Sequence, residues 1–319
     1  MALIRNVPVA PALNLIDKRR WTLALAAVLV VISLGAFGAF GLNLGVDFRG
    51  GIVIQAETAQ ETTVAGMRER LAELNLGDTN IQQFGEANTV LIRVQEQAGG
   101  QEAQNEAIQR VKEHLRPQVT TYERTEFVGP KVGEELKQAG MMATGLALLA
   151  MAAYIWFRFE WQFAVAGLAA LLHDVITTLG FFSITQLEFN LGTVAAVLTI
   201  AGYSINDTVV VFDRVREVVR KYKRKPMPEL LNIGVNSTIT RTLLTSGTTL
   251  LALIALAVFG GAVIRSFTWA LIWGVVIGTF SSIGVAVPML LQLRLSPSTL
   301  VTEDDETARQ QAEAAGKSP

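Results

Sequence analysis

Six long apolar runs limit what this chain can become more than any other feature. They cover residues 21–42, 138–157, 162–183, 190–212, 242–261 and 266–293. A bilayer-spanning helix needs about 20 mostly apolar residues, because in hydrocarbon the backbone must satisfy its own hydrogen bonds. Each run is about that long, which predicts an α-helical membrane protein with six transmembrane helices. Composition agrees: 50% of the 319 residues are hydrophobic and 17% are charged. The first run follows Lys18, Arg19 and Arg20, as the core of a signal peptide would. It exceeds the roughly 7–15 residues of such a core, which predicts an uncleaved anchor.

Basic residues set an expected orientation. Lys18, Arg19 and Arg20 precede the first run, and Arg158 separates the second from the third. Arg214, Arg216, Arg220, Lys221, Lys223, Arg224 and Lys225 lie between the fourth and fifth, and Arg294 follows the sixth. With six spans these all fall on one side, which the positive-inside rule assigns to the cytoplasm. Both termini are then cytoplasmic and residues 47–137 lie outside. The expected order is a cytoplasmic leader (1–20), span one (21–42), an extracytoplasmic domain (43–137) and spans two to six (138–293). A basic cytoplasmic loop (213–240) interrupts the last block, and a polar tail (294–319) follows, expected to be disordered. Pro8 and Pro11 disfavour a long helix in the leader. Gly35, Gly38 and Gly41 are expected to let the first helix pack closely, as is the Gly274-x-x-x-Gly278 pattern in the last.

Asp207 lies inside the fourth run, Arg241 immediately precedes the fifth, and Asp174 lies inside the third. An ionised group at the bilayer centre costs about 2.5–3.5 kcal/mol on insertion scales, so intramembrane charges tend to be paired or to work on ions. Helical spacing puts Asp207 on the face of Ile200, Tyr203, Ser204 and Val211, next to Asn206. Arg241 shares a face with Thr238, Thr245 and Thr248. An arginine near a span end can snorkel to the interface, but the threonine stripe continues inward. We expect a charged relay between these two helices. His173 and Asp174 sit midway along the third run, about 100° apart on the helix, so they need not touch. Interhelical hydrogen bonding and part of a proton route both stay open for them. The candidate proton pathway is therefore Asp207, Arg241, Asn206, Thr245, Asp174 and His173.

The segment after the first run changes type. Residues 51–57, 79–84, 89–94 and 119–128 read as strands, and 62–76 and 101–115 as helices. That βαββαβ order is ferredoxin-like, and a turn is expected at Gly85-Glu86-Ala87-Asn88. Two glycine-containing junctions flank it, GVDFRGG (45–51) and GPKVGEEL (129–136). Gly45, Asp47, Gly50, Gly51, Gly129, Pro130 and Gly133 are expected to form a rigid connection to the membrane helices. A net charge of −1 gives no global field for nucleic acid, and the absence of cysteine excludes thiol chemistry and disulfides. The sequence has no phosphate loop, metal-ligand set or catalytic triad, so neither an enzyme nor a cofactor is expected.

GVDFRGG, VGPKVGEEL, LLHDVITTLGFFS, LTIAGYSINDTVVVFDRVRE and NSTITRTLLTSGTTLLAL together resemble the SecF family. It is the smaller half of the SecD–SecF pair that assists bacterial protein export. The strings occur in the family's order and spacing from Trp21 to Leu293. The resemblance implies a fold related to the resistance-nodulation-division exporters and a cytoplasmic (inner) membrane location. Implied partners are SecD, the SecYEG translocon with SecA, unfolded preprotein and membrane lipids. It also implies proton-driven completion of preprotein translocation, with Asp207 and Arg241 in proton conduction. SecD brings its own intramembrane carboxylates, so this chain alone lacks a complete pathway. A proton-coupled small-molecule exporter of the same superfold and a passive translocon scaffold are the alternatives.

Overall fold

The computed structural model describes residues 14–59, 63–77, 79–83, 88–222, 225–261 and 264–296. Pro8, Pro11, most of the expected 85–88 turn, Lys223, Arg224 and nearly all of the tail lie outside those residues. Among them, six helical segments are long and apolar enough to cross a membrane. They are built from α1 (Arg19–Phe40), α5 (Pro130–Arg158), α6 (Trp161–Thr185), α7 (Leu191–Lys221), α8 (Met227–Phe259) and α9 (Arg265–Ser281) with α10 (Val287–Gln292). Between α1 and α5 come the short helix α2 (Val46–Arg49), β1 (Gly51–Thr58) and α3 (Val64–Ala72). β2 (Thr79–Gln83), β3 (Thr89–Val94), α4 (Gly100–Leu115) and β4 (Val119–Val128) complete that segment.

The spans differ in how deeply they sit. In α6, α7 and α9–α10, half or more of the apolar window is buried within the chain, against 17% or less in α1, α5 and α8. The first three therefore form the inside of the bundle, and the other three are wrapped around them. Their outward faces carry Val28, Val31, Met142, Leu149, Leu251 and Phe259, all exposed, as a bilayer or a partner helix requires. At the α5–α6 end, Phe159, Phe163 and Phe212 pack ring against ring.

Helix ends overrun the apolar runs. α5 begins at Pro130, eight residues before its run, and proline suits a first helical position, where no N–H partner is needed. The basic stretch 213–240, read from sequence as a loop, is mostly helix, because α7 continues to Lys221 and α8 starts at Met227. Hydropathy marks hydrocarbon and misses helix that projects beyond it. The glycines of span one are a second correction. A Cβ on Gly35, Gly38 or Gly41 would meet nothing within 4 Å, so they face away from the chain's own helices. The close crossing lies instead at Gly180 of α6, where a Cβ would strike Ser33 of α1. Gly274 and Gly278 do pack closely, against Ile200 and Ser204 of α7.

The segment between α1 and α5 is the βαββαβ domain expected from alternation. Its antiparallel sheet has strand order β2-β3-β1-β4. Ile52, Ile54 and Ile92 meet Met67, Leu71, Val111 and Leu115 of the two helices in its core. The Thr63 side chain starts α3 by accepting the Gly66 N–H at 3.2 Å.

Candidate functional site

The buried ionisable groups lie where α6, α7, α8 and α9 meet. Asp174 of α6 is fully buried and His173 is 4% exposed. Although adjacent on the helix, the two touch, with His173 Nδ1 2.9 Å from Asp174 Oδ1. The other oxygen, Oδ2, accepts from Ser281 of α9 at 2.7 Å and from Ser204 of α7. Three helices thus converge on one carboxyl, and every bond to it comes from a side chain that lipid cannot replace. His173 Nε2 is buried with no hydrogen-bond partner, beside the Phe280 ring.

One turn further along α7 lies Asp207. Its Oδ1 accepts from Thr242 Oγ1 of α8 at 2.7 Å, and its Oδ2 is buried with no hydrogen-bond partner. Ser282 flanks the same carboxyl and bonds Thr208 Oγ1 at 3.0 Å. The direct Asp207–Arg241 pair expected from sequence is not formed. Arg241 is exposed on α8 and attracts Asp207 only through space. It lines a polar cleft of about 340 Å³ with Asp213, Arg214, Glu217, Ser237 and Thr238. The threonine stripe is offset by one residue. Thr238, Thr242 and Ser246 point inward, whereas Thr245 and Thr248 are exposed and bond back to the carbonyls of Arg241 and Leu244. Asn206 is exposed as well. Asp174 and His173 are therefore enclosed by the bundle and Asp207 is half-buried in it, while Arg241, Thr245 and Asn206 lie on its outer side.

A second polar layer sits one turn away. Tyr203 OH donates to Ser246 Oγ at 3.3 Å, and Ser246 Oγ is 2.6 Å from Thr279 Oγ1. Sequence reasoning missed Thr242, Ser246, Thr279, Ser281 and Ser282. Their signal was hydroxyls recurring at helical spacing inside apolar runs, and adjacent serines a few residues before Pro288.

The expected junction residues gather at the opposite end of α7. Asp47 Oδ2 accepts the Leu191 N–H at 2.9 Å, at the start of α7, where the helix dipole favours negative charge. Asn190 and Thr193 cap the same end reciprocally. Gly45 N–H donates to the Phe189 carbonyl at 2.9 Å, and Phe189 N–H to that of Asn43 at 2.8 Å. Gly50 and Gly51 have φ of +72° and +112°, and a Cβ on Gly51 would strike the Val94 carbonyl. Gly129 and Pro130 open α5, and Gly133 lies against the backbone of Gly50 and Asp47. An Arg93–Glu188 ion pair ties β3 to the α6–α7 connection. The junction is thus held to the starts of α5 and α7, and the domain to the α6–α7 connection.

This architecture defines a multi-span membrane protein with ionisable groups held inside its bundle and a small α+β domain clamped to one end. Residues 107–296 match the family described as "Protein export membrane protein SecD/SecF, C-terminal", and residues 35–62 match the SecD/SecF GG motif. The chain belongs to the SecF branch of the SecD/SecF family. It is 45% identical over 281 residues to the protein translocase subunit SecF of Cereibacter sphaeroides, covering 85% of this chain and 86% of that one. Against the Magnetococcus marinus subunit of the same name it is 46% identical, with coverage of 87% and 91%. The crystal structure of SecDF from Thermus thermophilus superposes with a TM-score of 0.82 at 34% identity. That match covers 90% of this chain and 39% of the SecDF chain, so the chain spans about two fifths of that protein. A SecDF structure in a super-membrane-facing form gives 0.66 at 32% identity, covering 97% of this chain and 40% of that one.

Proposed function

We propose that this chain works as the SecF subunit of a SecD–SecF accessory complex in the cytoplasmic membrane. In that role it uses the proton motive force to complete preprotein translocation through SecYEG and SecA. Both termini are cytoplasmic, and the βαββαβ domain faces outward to meet the unfolded chain. The observation that carries this reading is the Asp207 carboxyl, held among α7, α8 and α9 with one oxygen on Thr242 and the other unpartnered. In this reading the carboxyl takes up and releases a proton, and protonation gives it a donor where Oδ2 has no partner. In this reading water approaches from the polar cleft lined by Arg241, Asp213 and Glu217 at the basic end of the bundle.

Protonation of Asp207 weakens its attraction to Arg241 and its bond to Thr242, so α7 and α8 shift relative to each other. One charge crossing 100 mV supplies about 2.3 kcal/mol, enough to bias such a packing equilibrium about fifty-fold. Because Asp47 sits on the first turn of α7, tilting of that helix carries the domain with it. The outward exposure of Arg241 supports a pathway completed by SecD. Asp207→Asn tests the proposal in cells at normal expression, where proton-gradient-dependent secretion is expected to fail. Full secretion would leave the chain a passive scaffold.

A further inference from the structure

We infer that the basic end of the bundle carries a binding site for the phosphate headgroup of an anionic phospholipid, in a cleft between the α5–α6 corner and the last turns of α7. The cleft has a volume of about 510 Å³ and is lined by Arg158, Asp213, Arg216, Glu217, Arg220 and Lys221. Such a site does not require the proton-driven reading above.

Local geometry brings these residues together. Only Phe159 and Glu160 join α5 to α6, so Arg158 and Glu160 stand at a tight corner. Asp213, Arg216, Glu217 and Arg220 follow one another along α7 at steps that place them on one helix face. That face meets the corner: Arg158 Nη2 is 2.6 Å from Asp213 Oδ1, and Arg216 Nη2 is 2.8 Å from Glu160 Oε1.

The charges there do not balance. Asp213 is engaged by Arg158, and Glu217 by Arg214 at 2.6 Å. Glu160 serves two arginines through one oxygen, since Arg220 Nη2 lies 3.9 Å from the same Oε1 that Arg216 holds. Lys221 forms no ion pair among the described residues, and its Nζ lies 5.3 Å from the centre of the Tyr222 ring. Arg220 and Lys221 are thus left without a carboxylate of their own. The side chains of Arg216 and Arg220 are only 23% and 37% exposed, and a surplus charge that is partly desolvated is costly without a counterion. The Nε atoms of both are buried with no hydrogen-bond partner. A phosphate supplies the missing negative charge together with acceptor oxygens that a guanidinium fork binds in pairs. The dipole of α7 favours cations at its last turn, but it leaves both Nε groups unbonded.

The surroundings favour a membrane lipid over a free anion as the source of that phosphate. The cleft lies at the end of α5, the span whose apolar window is 11% buried within the chain. Flanking the corner in sequence, Trp156, Phe157 and Trp161 are all more than half exposed. Aromatic side chains concentrate where hydrocarbon meets headgroups, and basic pockets between helices at that level hold anionic headgroups.

The test follows thermal unfolding of the purified full chain in a neutral detergent. The probes are dihexanoyl phosphatidylglycerol, dihexanoyl phosphatidylcholine and inorganic phosphate. Phosphatidylglycerol is expected to raise the unfolding midpoint saturably, as a ligand of the folded state does, and the other two to leave it in place at equal concentration. Arg220→Ala with Lys221→Ala is expected to weaken the apparent affinity about thirty-fold, from about five-fold for each basic residue lost. Lys18→Ala with Arg20→Ala removes the same charge from exposed positions at the start of α1 and is expected to leave the affinity unchanged. Lys221→Ala alone, at an exposed position, carries the test with about a five-fold loss if the double variant does not fold. Equal stabilisation by phosphatidylcholine, an equal loss in the Lys18 and Arg20 variant, or unchanged affinity in the α7 variants overturns the site. Equal stabilisation by inorganic phosphate overturns the lipid as its ligand.

Discussion

Thr242 Oγ1 donates to Asp207 Oδ1 at 2.7 Å, and Arg241, the residue just before it, makes no ion pair with that carboxylate among the described residues. The difference matters to the proposed proton-driven cycle, in which Asp207 changes partners. Breaking a buried ion pair by removing one partner costs about 3–5 kcal/mol, whereas a hydrogen bond to a charged group contributes about 1.5–3. On the proposed reading, a hydroxyl holds the carboxylate loosely enough for a single proton to change the arrangement.

Thr242→Val keeps the shape of the side chain and removes its donor. The variant is expected to lose about 1.5–3 kcal/mol of stability in denaturant unfolding of the detergent-solubilised chain. Thr242→Ser, which keeps the hydroxyl, is expected to lose clearly less. Equal losses would show that the methyl group, not the hydrogen bond, matters at this position.

Gly180 and Gly35 give a paired prediction about helix contact. A methyl group at Gly180 has to displace Ser33 and part α1 from α6, so Gly180→Ala is expected to cost about 1–3 kcal/mol. Gly35 faces open space in this chain, and Gly35→Ala is expected to stay within about 0.5 kcal/mol. Thermal unfolding of the two variants side by side checks both.

At the other end of the bundle, Asp47→Ala removes the acceptor from the first N–H of α7. Local stability there is expected to fall by about 1 kcal/mol. Hydrogen exchange of the Leu191 amide is then expected to speed up about five-fold. Asp47→Asn keeps an acceptor oxygen and is expected to exchange at close to the native rate.

The parts of this architecture that follow from local pattern were readable in the sequence. Apolar run length located all six spans, and alternation located the four strands and two helices of the domain. Helical period placed Asp207 on one face with Ser204 and Ile200, both buried. What was not readable depends on rotation and register between distant helices. Whether Thr242 or Thr245 faces Asp207 is decided by a rotation of α8 that both spacings allow. The glycines of span one promised a contact that the fold makes at Gly180 instead. Asp174 finds Ser281 across 107 residues of chain, and no local pattern encodes that separation. The far ends of α7 and α8 were hidden for another reason, since helix outside hydrocarbon can be as polar as a loop.

The central claim is that Asp207 couples the transmembrane proton gradient to movement of an exported chain. Its most direct test compares preprotein translocation into inverted membrane vesicles, with and without a proton gradient, for the native chain and for Asp207→Asn. The account predicts that the gradient accelerates completion with the native chain and gives no acceleration with Asp207→Asn, at equal levels of assembled complex. An undiminished response to the gradient in the Asp207→Asn vesicles would contradict it.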